Sequence, residues 1–218
     1  MTIQQRLAEI NAHITAARAE SVRGQAVELL AVSKTHGADA VREAIRAGQK
    51  VFAENRVQEA TEKFPALRAE YPSMRLHLIG MLQTNKVRDA VTLFDAVHTI
   101  DRQAIAVKLV NEMQKQNKNL TCFIQVNTGA EPQKSGVMIL DLPELLRFCR
   151  EDIGLEIKGL MCIPPLAEDA APHFKLLAEL ADEYQLSLLS MGMSADFEAA
   201  IRLGATHVRV GSAIFGMR

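Results

Sequence analysis

The stretch Glu28-Leu29-Leu30-Ala31-Val32-Ser33-Lys34-Thr35-His36-Gly37 opens the regular part of the chain, and its reading decides the fold. Leu29 to Val32 is a short apolar run of the length expected for a buried strand. The turn after it carries no G-x-G-x-x-G fingerprint and no P-loop, the signals an open doubly wound sheet displays after its first strand. Lys34 at the end of such a run is either partly solvated at a strand mouth or held with a lowered pKa. A desolvated lysine keeps more of its neutral, nucleophilic form, which Schiff-base formation with an aldehyde requires. The plain alternative is a lysine that snorkels into solvent where the strand ends.

Outward from this run, apolar segments alternate with helical patterns. Strands are predicted near 29–33, 50–53, 75–79, 95–99, 120–126, 155–161, 186–191 and 206–210, with helices at 38–47, 55–70, 84–93, 102–117, 141–150, 168–184 and 195–203. Gly48 and Gly204 close two of the helices. Ile3, Leu7, Ile10, Ile14 and Ala17 place a further amphipathic helix ahead of the repeats, ending near Gly24. Strands joined by helices pair in parallel, and eight such units close naturally. The expected fold is α/β, a single (β/α)8 TIM barrel with an extra N-terminal helix: 1–24 packed on the barrel, 25–218 the barrel itself.

A length of 218 residues, 48% of them hydrophobic, suits one domain with a substantial core. Lys and Arg number 25 against 26 Asp and Glu, so no net basic field draws the chain to nucleic acid or to anionic membrane. No signal-peptide block and no membrane-length apolar stretch is seen, and a cytoplasmic location is the expectation. Cys122, Cys149 and Cys162 are odd in number and lack metal-ligand spacing, which favours reduced, buried thiols and no metal. A monomer is expected, since a complete barrel has no exposed sheet edge.

In a barrel, functional groups come from the C-terminal ends of the strands. Those ends supply Lys34, Glu54-Asn55, His77 with Gly80, Thr99 to Asp101, Asn127, Met161-Cys162, Ser190 to Ser194, and Arg209-Gly211-Ser212. Ser194 precedes a helix with glycine just upstream; it is either an ordinary N-cap or a donor to an anion. A second small-residue turn follows the last strand at Gly211 to Gly216, and two turns in these positions form the usual barrel phosphate cradle. Asp196 and Glu198 oppose an anion there unless they point away. Arg209 alternates with Val208 and Val210 and so points into the barrel if the valines face the helices. It needs an acceptor, either a carboxylate such as Asp101 or Glu54 or the ring nitrogen of a ligand.

Leu30-Ala31-Val32-Ser33-Lys34, Glu54-Asn55-Arg56-Val57-Gln58-Glu59, His77 through Lys86, and His98-Thr99-Ile100-Asp101-Arg102 resemble the YggS/PROSC family of pyridoxal-phosphate homeostasis proteins. Lys134-Ser135-Gly136, Gly159 through Pro164, Met191 through Ser194 and Arg209 through Gly216 continue the resemblance in family order over nearly the whole chain. It implies a barrel like the N-terminal domain of alanine racemase that binds pyridoxal 5'-phosphate (PLP). Lys34 would carry the cofactor as a Schiff base, Arg209 would face the pyridine nitrogen, and Asn55 would form a polar wall beside the ring. Ser194, Gly211, Ser212 and the backbone around Met193 would form the phosphate cradle. His77 is carried over too, with a backbone-satisfying role as its alternative. The sequence departs from the family pattern at His36-Gly37, where lysine and proline are frequent, and at Ala53, Arg56 and Met81, where glycine, tyrosine and proline are usual.

An arginine at the pyridine nitrogen disfavours its protonation and weakens the ring as an electron sink. Tyr71 and Tyr184, the only tyrosines, fall near the ends of predicted outer helices, and no second domain is expected after the last motif. No catalytic residue is assigned. The expected role is therefore PLP holding and homeostasis, with PLP-dependent apoenzymes as the partners the resemblance implies. A PLP-dependent amino-acid racemase-like enzyme and a cofactor-free Schiff-base aldolase for phosphosugars are the alternatives.

Overall fold

Short apolar strands, each returned to its starting side by a helix, pair in parallel, and this chain carries the pattern round a full circle. The computed structural model describes residues 1–216. Its elements run α1 (Ile3–Ala19), β1 (Glu28–Val32), α2 (Ala38–Arg46), β2 (Val51–Glu54), α3 (Val57–Glu70), β3 (Arg75–Leu78), α4 (Val87–Leu93), β4 (Ala96–Ile100), α5 (Gln103–Gln116) and β5 (Thr121–Asn127). They continue through β6 (Val137–Met138), α6 (Leu142–Arg147), β7 (Ile157–Cys162), α7 (Ala170–Glu183), β8 (Leu188–Met193), α8 (Phe197–Arg202), β9 (His207–Val210) and α9 (Ser212–Phe215). Neighbouring strands follow the order β4-β3-β2-β1-β9-β8-β7-β5, and β5 pairs back onto β4. Eight parallel strands thus close into a TIM barrel, with the two-residue β6 beside the end of β5.

Side-chain alternation sorts the strands into two packed regions. Leu29, Ala31, Phe52, Val208 and Val210 face the helices in one large core cluster. Leu30, Val32, Val51 and Ala53 fill part of the barrel interior. Arg209 lies in register with Leu30 and so points inward, as its valine neighbours require. Helix α1 buries Ile3, Leu7, Ile10, Ile14 and Ala17, the same face its spacing indicates, and packs on α8, α9 and α2. A capping box of Thr2 and Gln5 fixes its start.

Several boundaries differ from expectation. The expected helix 84–93 begins with a separate 3-10 turn, Thr84–Lys86, and the expected 141–150 helix ends in a π-helical turn, Phe148–Asp152. Helix α8 starts at Phe197 after Asp196, two residues later than expected, so Ser194 is not its N-cap. The strand β6 and the one-turn α9 went unforeseen because neither is long enough to show a period.

Candidate functional site

Lys34 stands on the turn leaving β1, with its side chain exposed and Ser33 buried beneath it. Its position is the expected strand mouth, and it is the solvated variant of that expectation. The turn is tightly built. Thr35 adopts φ 68°, an unusual conformation for a β-branched residue and one that surrounding contacts must hold. Lys63 on α3 supplies such contacts: its ammonium donates to the carbonyls of Ser33 at 2.8 Å and His36 at 2.9 Å, one on each side of Lys34 and Thr35. The same ammonium lies 2.6 Å from Glu54 Oε1, which also accepts from Ser33 Oγ at 2.7 Å. Glu59 accepts from the Thr35 N–H. Sequence reading missed Lys63; its one visible signal was the Glu59/Lys63 spacing of four residues on a helix.

On the two strands beyond, the other polar groups gather. Gly211 N–H donates to Ser194 Oγ at 3.3 Å, and Ser212 Oγ donates to the same oxygen at 3.4 Å, so the turns after β8 and β9 meet. Gly192 makes this possible. Its φ is 90°, and a Cβ there would lie 2.6 Å from the Ala200 side chain, so only glycine lets β8 pass this close to α8. The β1 turn joins them through a stack of His36 on Phe215, ring centroids 5.0 Å apart. Met193, at the end of β8, donates its N–H to Asp196 Oδ1 at 2.5 Å. Of the two carboxylates that could oppose an anion, Glu198 turns away to His13 and Arg202, whereas Asp196 stays beside the turn.

Arg209 is buried, and its guanidinium donates to Ser190 Oγ and to the Cys162 carbonyl, both at 2.9 Å. Neither carboxylate proposed as its partner fills that role, because Glu54 is engaged by Lys63 and Asp101 by Arg102. Burial pulls the Arg209 pKa down, opposed by Cys162 and Asp196. Ser190 also meets His98 Nδ1 at 2.8 Å, and His98 Nε2 meets His77 Nδ1 at 3.1 Å, forming a polar file through the barrel interior. Burial, with repulsion from His207 and Arg75, pushes the His77 pKa down to about 3, and burial also holds His98 well below the usual histidine range. The file is therefore neutral at pH 7.

His77 does not join the other site residues. It pairs with Ala96, the first residue of β4, and lines a cavity among strand beginnings at the opposite mouth. Asn55 does lie at a strand C-terminal end, half-buried, lining a cavity of about 310 Å³ with Arg56, Met81 and Lys86. Arg102 pairs with Asp101 and Lys134 with Glu131, as surface ion pairs. Tyr71 and Tyr184 cap the C-terminal ends of α3 and α7. Because these helices run antiparallel to the strands, both tyrosines sit toward the mouth opposite Lys34. All three cysteines are buried and free.

The model of the family described as "Alanine racemase, N-terminal domain" matches residues 6–218. A pyridoxal phosphate homeostasis protein of Pseudomonas aeruginosa is 45% identical over 223 residues, covering 100% of this chain and 96% of the relative. Its counterpart from Vibrio cholerae is 42% identical over 228 residues, covering 100% and 97%. PipY of Synechococcus elongatus PCC7942, solved with PLP bound, superposes with a TM-score of 0.85 at 36% identity, covering 99% of this chain and 100% of PipY.

Proposed function

The chain belongs to the pyridoxal phosphate homeostasis protein family, and from that membership we propose that it holds PLP reversibly, on Lys34, as a buffer of a reactive aldehyde inside the cell. The observation that carries this reading is the meeting of three strand ends. Ser194 Oγ, Gly211 N–H and Ser212 Oγ converge beside the turn that bears Lys34, linked to it by the His36–Phe215 stack. This donor set fits a phosphate monoester: two hydroxyls and a backbone N–H, now satisfied only by long contacts with one another, can turn to anionic oxygens.

Bound PLP supplies an aldehyde for an amine and a ring that can accept electrons. The protein's residues would act as follows. Lys34 would hold the cofactor through Nζ, the amine its aldehyde requires. Ser194, Gly211 and Ser212 hold the phosphate, which fixes the distance between anchor and amine. Asn55, just past the end of β2, which pairs with β1, would offer a polar wall. Arg209, already held by Ser190 and Cys162, would set its positive charge against the ring nitrogen and disfavour a proton there, which would favour storage over carbanion chemistry. The placement of both tyrosines toward the far mouth supports the same side of that choice, because a racemase needs an acid/base partner across the cofactor from its lysine.

The test is spectroscopic. The purified protein with added PLP is expected to show a visible absorbance band, and borohydride reduction is expected to leave a pyridoxyl adduct on the Lys34 peptide by mass spectrometry. An unchanged band in Lys34→Ala overturns the assignment of the lysine. Steady, Lys34-dependent racemisation of alanine or serine overturns the storage role in favour of an enzyme.

A further inference from the structure

At the mouth where the strands begin, a cavity of about 800 Å³ opens among Glu28, Lys50, Arg75, His77, Asp95 and His207. The PLP reading uses none of these groups. One carboxylate and two imidazoles converge there: ligand atoms of Glu28, His77 and His207 all lie within 4.8 Å of one another. His207 Nε2 is 3.7 Å from Glu28 Oε2. Donors around a tetrahedral ion with bonds of about 2.1 Å stand roughly 3.4 Å apart, so this pair is near the required spacing, while His77, within 4.8 Å of both, must move inward to complete the set.

The remaining ring nitrogens are already committed in the manner that prepares a histidine for a metal. Thr206 Oγ1 donates its single proton to the Leu189 carbonyl at 3.1 Å and accepts from the Leu189 N–H at 2.8 Å. Its second lone pair faces His207 Nδ1 at 2.8 Å. With no hydroxyl proton left, the proton of that bond belongs to His207 Nδ1, and the Nε2 lone pair faces Glu28. His77 Nδ1 is engaged by His98, which leaves Nε2 as its open donor. Arg75 pairs with Glu28 through Oε1 and leaves Oε2, the oxygen facing His207, for another partner.

We propose that Glu28, His77 and His207 form a binding site for one divalent transition-metal ion of the zinc class at the strand-start mouth of the barrel. Two neutral nitrogens and one carboxylate suit Zn²⁺ or Co²⁺ better than the oxygen-seeking Mg²⁺ and Ca²⁺. Three protein ligands leave a fourth position for water. Thr206 and His98 orient the ligands, and Arg75 steadies the carboxylate from its other oxygen.

Untagged full-length protein, stripped with a chelator, is titrated with Zn²⁺ against a chromophoric competitor and separately with Co²⁺ in the visible range. The expected result is one ion per chain, a Co²⁺ band of tetrahedral intensity, and at least about tenfold weaker Zn²⁺ binding in both His207→Gln and Glu28→Gln. His13→Gln, which alters a surface histidine on α1, is expected to bind as the parent does. If His207→Gln misfolds, Glu28→Gln at the partly exposed strand start still decides the question. Absence of stoichiometric Zn²⁺ binding, or parental affinity in Glu28→Gln, overturns the site.

Discussion

Lys63 Nζ lies 2.6 Å from Glu54 Oε1, with the lysine side chain 8% exposed and the carboxylate fully buried. The same ammonium bonds the backbone on either side of Lys34 and Thr35, so a buried ion pair also clamps the turn that bears Lys34. Lys63→Met is expected to destabilise the protein by about 3–5 kcal/mol, because an unpaired buried carboxylate is left behind. Burial already raises the Glu54 pKa above 4.5, against the opposing pull of Lys63 and Ser33. A raised carboxyl pKa contributes stability that is complete below pH 4.5 and is lost as pH rises through the folded-state value. Without Lys63 the rise is larger, so thermal melts should show a greater deficit against the parent at pH 8 than at pH 5. A deficit that shrinks with rising pH contradicts the pairing.

The meeting of Ser194 with Gly211 and Ser212 carries the phosphate assignment. Ser194→Ala removes the oxygen to which both other groups point. It should release PLP faster than the parent, by roughly tenfold for one lost charge-assisted hydrogen bond, while leaving the weaker binding of unphosphorylated pyridoxal unchanged. Stopped-flow transfer to an excess of a competing apoenzyme reads the rate. Equal losses for the two ligands indicate a serine that merely supports the fold.

Burial pushes the thiol of Cys122 up to about 12, Cys149 to about 11 and Cys162 to about 12. A thiolate is the reactive form, so the native chain should show almost no reaction with Ellman's reagent at pH 8. Unfolding in guanidinium should release all 3 cysteines of the sequence together. Fast titration of one thiol in the native state contradicts the burial.

Arg209 reaches two acceptors from one planar fork, Ser190 Oγ and the Cys162 carbonyl. Lysine has a single nitrogen and cannot reproduce that span. Arg209→Lys should lower stability in urea by about 1–3 kcal/mol, the range for a buried acceptor left unpaired. If Arg209 faces the ring as proposed, the substitution should also shift the visible band of the PLP complex, because the guanidinium charge is displaced.

The barrel was legible because strand and helix periods alternate without interruption from Leu29 onward, and because Ser33 to Gly37 lacks a dinucleotide fingerprint. Once the fold was fixed, chain order alone placed Lys34, Asn55, Ser194, Gly211 and Ser212 at one mouth. The same logic failed at His77. A strand over 75–79 places His77 near its exit, yet the tilt of the barrel sets it against the first residue of β4. Inter-strand stagger is a property of the closed ring, invisible in any single strand. Lys63 escaped notice for a related reason, since its contacts with Ser33 and His36 span about thirty residues and join a helix face to a loop. The partners of Arg209 were misjudged because a backbone carbonyl, which no side-chain inventory displays, takes half of its fork.

The ring of eight strands spends its lateral hydrogen bonds on itself, leaving among the described residues only the two-residue β6 outside the circle. Any macromolecule that were to bind this chain would therefore find almost no ribbon to extend. Recognition of such a partner would have to rest on side chains along the outer helices or at the rim, where single substitutions can change affinity while the interior stays unchanged.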